Sequence, residues 1–413
     1  MKLLLYLHKL LIITETMRII PRPIYLNQIR PYICKNIIKV LTGQRRVGKS
    51  YILKTVAQEI IDREPSANII EINLEDFAYS HITDAQKLHD TIISQLKENQ
   101  KNYIFLDEIQ EVEGFDKVVR SLILDPNNDV YITGSNSSML SSEIASRLAG
   151  RSINIHVHPL TYSEFLSFHS FQDSDEALDL YIRYGGMPYL INLPESRTWA
   201  EYLSGITDAV VYRDVVTRYS LRNTDFLKRL LLFLADNVGK IFTSKKIVDY
   251  LKSQHVSTNV TGVQNYVGYL DDAFIVNRCR RWDIEGKRFF EIGEKIFFED
   301  TGIRNSIIGY RPNDIGCLME NLVYNHLTAK GYNVKIGVLQ QTHEIDFVAE
   351  RDNEYQYIQV AVTVADSKTA DREFGNLSKI PDNYTKKVVT LHESAPNTYN
   401  GISLISLREF LLS

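Results

Sequence analysis

The chain reads as an α/β protein in which a parallel, helix-flanked sheet is followed by a helical stretch and two smaller parts. Two observations carry this. Short runs of branched apolar residues, NIIKVLT (36–42), NIIEINLED (68–76) and YIFLDE (103–108), are separated by stretches of helical period, the order that builds a parallel sheet covered by helices. The 413 residues also exceed one ordinary core, so two or three domains are expected.

Composition narrows the class. Hydrophobic content of 44% and charged content of 24% are those of a globular protein. A formal net charge of −4 argues against a globally basic nucleic-acid coat and leaves room for a local basic face. Cys34, Cys279 and Cys317 form no CxxC pair, so neither a disulfide framework nor a zinc site is favoured and a reducing cytoplasm is expected. The opening MKLLLYLHKLLIITETM (1–17) is apolar but broken by His8 and Lys9. It is too short for a membrane span and is followed by no small-residue cleavage site. It is either a real extension or a segment upstream of a start at Met17, and no membrane anchor is expected.

The first strand opens into GQRRVGKS (43–50), a match to G-x-x-x-x-G-K-[ST], and YILKTVAQEIIDR then continues with helical spacing. Strand, glycine loop and helix are the context this motif needs. Gly43 and Gly48 let the backbone curl so that its N–H groups face phosphate oxygens, and the helix N-terminus adds partial positive charge. Lys49 is expected to reach the β/γ phosphates and Ser50 to hold Mg2+. The expected nucleotide-binding set is Gly43, Arg45, Arg46, Val47, Gly48, Lys49, Ser50 and Tyr51, with ATP and Mg2+ as cofactors. At the end of YIFLDE, Asp107 is the expected magnesium acid and Glu108 the base that activates water. A further strand, DVYITGSNSS from Asp129, ends in polar residues. There Asn136, with Ser135 second, is the candidate to sense the γ-phosphate or place the water; the same residues could instead cap the helix SSMLSSEIASRL.

Taken in order, GQRRVGKS, YIFLDEIQ, TGSNSSML, RLAGR and HPLTYSEF resemble the additional-strand branch of P-loop ATPases within the AAA+ superfamily. More narrowly, they resemble prokaryotic ATP-binding proteins whose AAA-type domain is fused to a DUF4143-type C-terminal region. The resemblance covers nearly the whole chain from about Arg18. It implies a sheet with the acidic strand beside the phosphate-loop strand and the sensor strand between them. In RLAGR, Arg151, ahead of Arg147, is a candidate to stabilise transition-state charge in cis or from a neighbouring copy; the alternative is a helix-closing arginine beside Gly150. Arg213 is a further candidate.

From Glu164 the spacing is helical and is broken at Gly185-Gly186 and Pro188; this stretch resembles the family's helical lid. Residues 224–290 read as helices followed by FIVNRCRRWD and KRFFEI, a hairpin around Glu285-Gly286. Two short helices and a hairpin form a winged-helix pattern. Arg278, Arg280, Arg281, Lys287 and Arg288 in the wing, with Lys245, Lys246 and Lys252, suit duplex DNA or a solvated face of a packing module. Near the C-terminus, Glu320 on a helix and Asp346 on a strand fit the restriction-endonuclease pattern, but the third position reads Gln359-Val360-Ala361, without its acid or its lysine. A nuclease-like domain without nuclease activity is expected.

The expected division is an extension at 1–17, a P-loop ATPase domain at 18–160, a helical lid at 161–222, a winged helix at 223–300 and a restriction-endonuclease-like α/β domain at 301–413. The function expected is a Mg2+-dependent ATPase, a hydrolase that acts on duplex DNA or a protein partner, with oligomers allowed. The alternatives are an ATP-controlled binding module with negligible turnover and an ATP-regulated nuclease, the latter disfavoured by Gln359 and Ala361.

Overall fold

The computed structural model describes residues 19–136, 147–148, 150–194, 196–340, 343–365, 367–392 and 398–413. The opening segment 1–17 and most of the helix expected over SSMLSSEIASRL lie outside the described residues. The chain divides into two compact units, one of Met1–Gly43 with Gly48–Val157, the other of Gln44–Val47 with His158–Ser413.

The first unit runs α1 (Pro23–Ile29), β1 (Ile38–Thr42), α2 (Lys49–Arg63), β2 (Asn68–Asn73), α3 (Ala85–Ile93), β3 (Asn102–Asp107), α4 (Phe115–Leu122), β4 (Asn128–Gly134) and β5 (Ser152–His156). Its five strands pair in parallel in the order β2-β3-β4-β1-β5. The sensor strand β4 thus lies between the acidic strand β3 and the phosphate-loop strand β1, as the resemblance implied. Alternation along the strands sorts the faces. Ile38, Val40, Ile70, Ile72, Ile104, Leu106, Val130 and Ile132 join one apolar cluster with Leu88, Ile92, Val118 and Leu122 from α3 and α4. The intervening positions turn the other way, where Phe105 stacks on Tyr131 at 4.6 Å between ring centroids. On that face the fully buried Lys39 is paired with Asp129, which also accepts from the Tyr131 hydroxyl at 2.7 Å.

In the second unit, Thr161 and Glu164 form a capping box that starts α5 (Tyr162–His169), and α6 (Asp175–Tyr184) follows. Next, α7 (Ser196–Ala209) continues into a π-helical run, Val210–Thr217. The three expected helices of the middle region are α8 (Thr224–Asp236), α9 (Ser244–Ser253) and α10 (Val260–Asp272). Thr243 caps α9 and Asn259 caps α10 through their side chains. Strands β6 (Val276–Asp283) and β7 (Arg288–Phe298) form the hairpin. At its turn the Asp283 carboxylate accepts from the Glu285 and Gly286 amides at 3.2 and 3.0 Å. The remaining elements are α11 (Thr301–Ile308), α12 (Ile315–Ala329), β8 (Asn333–Leu339), β9 (His343–Arg351), β10 (Glu354–Ala361), α13 (Ser367–Ser378), β11 (Thr385–Thr390), β12 (Thr398–Tyr399), β13 (Ile402–Ser406) and α14 (Leu407–Leu412).

The hairpin is not a free wing. β6 pairs antiparallel with β7 and parallel with β8, so the strand order β12-β13-β11-β10-β9-β8-β6-β7 makes one eight-stranded sheet. The expected boundary between residues 300 and 301 therefore separates strands of a single sheet. The glycine pair of the lid region has a packing reason. A Cβ on Gly185 would stand 2.1 Å from the Asp300 carboxylate, and the next amide, Gly186 N, donates to that carboxylate at 2.7 Å. Asp300 also caps α11 by accepting from Ile303 N at 3.0 Å. A Gly185→Ala substitution meets both this contact and a φ of 69°. It should lower stability by about 1–3 kcal/mol, read as a shifted urea midpoint.

Candidate nucleotide-binding site

The loop between β1 and α2 curls through left-handed residues. Gly43 has φ 145°, and a Cβ there would stand 2.2 Å from the Val157 carbonyl oxygen, so only glycine fits. Arg46 and Gly48 have φ 72° and 97°. Left-handed residues at these points give the backbone form in which successive N–H groups converge on an anion. α2 begins at Lys49, so the partial positive charge of its N-terminus adds to the same cradle. The Arg45 guanidinium is bonded to the Asp214 carboxylate at 3.1 and 3.2 Å. Tyr51 is partly exposed on the first turn of α2, with the Lys54 ammonium 5.3 Å from its ring centroid.

Lys49 is buried, donates to the Gly43 carbonyl at 2.9 Å and stands 3.8 Å from a Glu108 carboxylate oxygen. The Ser50 hydroxyl is hydrogen-bonded to Asp107. Burial pushes the Asp107 carboxyl above the ordinary range; bonds from Thr133 and Ser50 oppose this, the Glu108 charge adds to it and Lys49 opposes it. A hydroxyl and a carboxylate in contact are the hard oxygen donors that Mg2+ prefers, so this pair fits the ion.

Glu108 is buried and itself left-handed, φ 55° and ψ 48°, a conformation that costs a non-glycine residue roughly 1–3 kcal/mol and clusters at working sites. Two residues hold it there. The Thr133 hydroxyl accepts from Glu108 N at 2.9 Å and donates to Asp107 at 2.5 Å. Gln110 donates to the Glu108 carboxylate at 2.6 Å and lies 3.4 Å from the Ser135 hydroxyl. Neither Thr133 nor Gln110 was singled out from sequence, although both sit inside the quoted motifs. Asn136 and Ser135 are fully buried directly after β4.

The arginines sort differently from expectation. Ile38 N donates to the Arg151 carbonyl at 2.8 Å, and Ser152 is in register with Ile38, at the end of β1 remote from the phosphate loop. At about 3.3 Å per residue the backbone of Arg151 is roughly 16 Å from that loop, beyond the reach of its side chain. Of the alternatives for Arg151, this placement disfavours action in cis and leaves a neighbouring copy or a structural role. Arg147 is bonded to Asp116 at 3.3 Å.

Within the second unit the C-terminal acids do meet, around a lysine that sequence spacing did not reveal. Lys295 on β7 is buried and contacts Glu320 at 2.8 Å, Glu344 at 2.9 Å and Asp346 at 3.5 Å. Gln359 is held at both ends: its carbonyl accepts from Asp346 N at 2.6 Å and its amide donates to Glu373 at 2.8 Å. In the middle region, Arg278 pairs with Glu294 at 3.0 Å and the Arg281 guanidinium stacks 4.9 Å from the Phe290 centroid. Lys245, Lys246, Lys252, Arg280 and Lys287 are exposed. Among the described residues no helix is long and apolar enough to cross a membrane.

Residues 35–166 match the family model of an AAA domain, and residues 175–314 match Domain of unknown function (DUF8612). The second is a different family from the DUF4143-type region that the resemblance implied. An uncharacterized protein of Haemophilus influenzae is 35% identical over 95% of this chain and 98% of its own length. The uncharacterized protein MJ1544 of Methanocaldococcus jannaschii is 30% identical over 87% of this chain and 83% of its own. Among solved structures, the Aeropyrum pernix ORC1 protein in complex with DNA is similar over 68% of this chain and 90% of that one, at 13% identity and a TM-score of 0.35. With this extent of identity to the Haemophilus and Methanocaldococcus proteins, the chain belongs to their family, and within it residues 35–166 of this chain form an AAA-type P-loop domain.

Proposed function

We propose that the protein is a Mg2+-dependent ATPase that couples hydrolysis to action on DNA or a protein partner. The observation that carries this is the hydrogen-bonded set Asp107–Thr133–Glu108–Gln110, with Lys49 and Ser50 beside it. In this reading the loop amides and Lys49 hold the phosphates. Ser50 and Asp107 hold Mg2+, which when bound neutralises developing phosphate charge. Glu108, fixed by Gln110 and Thr133, takes the proton of the attacking water, and Asn136 helps place that water. Arg151 retains a role only from a neighbouring copy.

The partner surface is the exposed basic set Lys245, Lys246, Lys252, Arg280 and Lys287, which suits the phosphate backbone of duplex DNA. The nuclease reading is disfavoured by two contacts: the Gln359 carbonyl oxygen already accepts from Asp346 N, and the Lys295 ammonium already contacts the acids. Phosphate release from ATP, measured with and without duplex DNA, tests the proposal. DNA should raise turnover, less so at high salt, and a Lys245→Glu, Lys246→Glu protein should lose the stimulation. Turnover indifferent to DNA assigns a protein partner, and no turnover with tight ATP binding assigns a binding module.

A further inference from the structure

The phosphate loop is gripped by a residue from far along the chain. At a position that the loop motif leaves open, Arg45 sets its Nε 3.1 Å from one Asp214 carboxylate oxygen and its Nη2 3.2 Å from the other. The side chains are only 9% and 3% exposed. A two-pronged guanidinium–carboxylate pair fixes orientation as well as distance. Once buried it is made or broken rather than gradually deformed, because either charge left alone is costly. Asp214 itself belongs to the π-helical run Val210–Thr217, which continues α7. Runs of this widened turn are rare and concentrate at functional sites. Here the run buries Asp214 and Val215 while leaving Tyr212 and Arg213 exposed.

We propose that Asp214 is a positioning residue for the nucleotide site: through Arg45 it fixes the phosphate loop, so that ATP occupancy and the conformation of Val210–Thr217 are coupled. The proposal rests on the ATP-binding reading above. The loop amides meet phosphate in the ground state and the transition state alike, so loosening the loop acts on affinity more than on turnover. Coupling is reciprocal, so ATP must in turn stabilise the π-helical run.

The test uses the full chain. ATP affinity with Mg2+ is measured by calorimetry, turnover by phosphate release and the protection of 210–217 by hydrogen exchange. Asp214→Asn removes one charge. The Arg45→Met, Asp214→Leu double variant removes both, so no stranded buried charge unfolds the protein. The dissociation constant should rise about tenfold in both variants, with a smaller change in kcat. Asp214→Glu should recover part of the affinity. In the wild type, ATP with Mg2+ should slow exchange across 210–217, and in the double variant it should not. Unchanged affinity in the folded double variant, or exchange in the wild type that ignores ATP, overturns this proposal alone. Failure of the wild type to bind ATP overturns the nucleotide reading, and this proposal with it.

Discussion

A Glu108→Gln protein is expected to bind ATP as the wild type does and to release phosphate at least about 100-fold more slowly. The substitution keeps the shape of the side chain and an oxygen that can accept from Gln110, which now lies 2.6 Å from the carboxylate. It removes the capacity to take a proton. In the proposed reading binding rests on the loop amides, Lys49 and Ser50, none of which is substituted. Calorimetry and single-turnover phosphate release separate the two effects. Undiminished turnover would place the base elsewhere, and lost binding would mean that the Lys49–Glu108 contact of 3.8 Å organises the loop.

The largest stability effect is expected at Lys295. Replacing it by Met leaves Glu320 and Asp346, both mostly buried, facing each other without their ammonium. Breaking a buried charge pair from one side costs roughly 3–5 kcal/mol. Half-exposed Glu344 adds little, because water screens it. The pH dependence follows from Glu320. Burial and the Asp346 charge push it from 4.5 up to about 8, with Lys295 opposing. Between these values the folded protein keeps a proton that the unfolded chain releases. Stability is therefore greatest below the ordinary value and falls as pH rises toward about 8. Urea denaturation at several pH values should show that fall, steeper in Lys295→Met and flattened in Glu320→Gln.

What sequence could tell, and what it could not, divides by distance along the chain. GQRRVGKS and YIFLDE are local patterns: a few adjacent residues carry the proposed phosphate cradle, magnesium acid and base, and the structure joins Lys49, Ser50, Asp107 and Glu108. Thr133 and Gln110 lay within reach of the same reading, but their role depends on β3 and β4 being neighbours. The cis and neighbouring-copy alternatives for Arg151 could not be separated from its motif, because the parallel pairing of β5 with β1 that carries it to the far end of the sheet is not a local signal. Lys295 and Asp214 gave no local signal. A lone lysine in a strand and a lone aspartate in a helical run read as surface charges until their partners, distant in sequence, are brought to them. The glycine pair at 185–186 was recognised as a break, yet its cause, Asp300, is equally remote.

The pairing of β6 with both β7 and β8 also shapes how the chain is made. During synthesis the hairpin leaves the ribosome first, with one edge of β6 bare until Asn333–Leu339 has followed. The strand carries Val276, Cys279 and Trp282, which are buried once the sheet is whole. A nascent chain stalled in this interval presents an open strand to its neighbours on the same message, the condition in which chains add to one another instead of to themselves. Early arrival of Asn333–Leu339 shortens that interval.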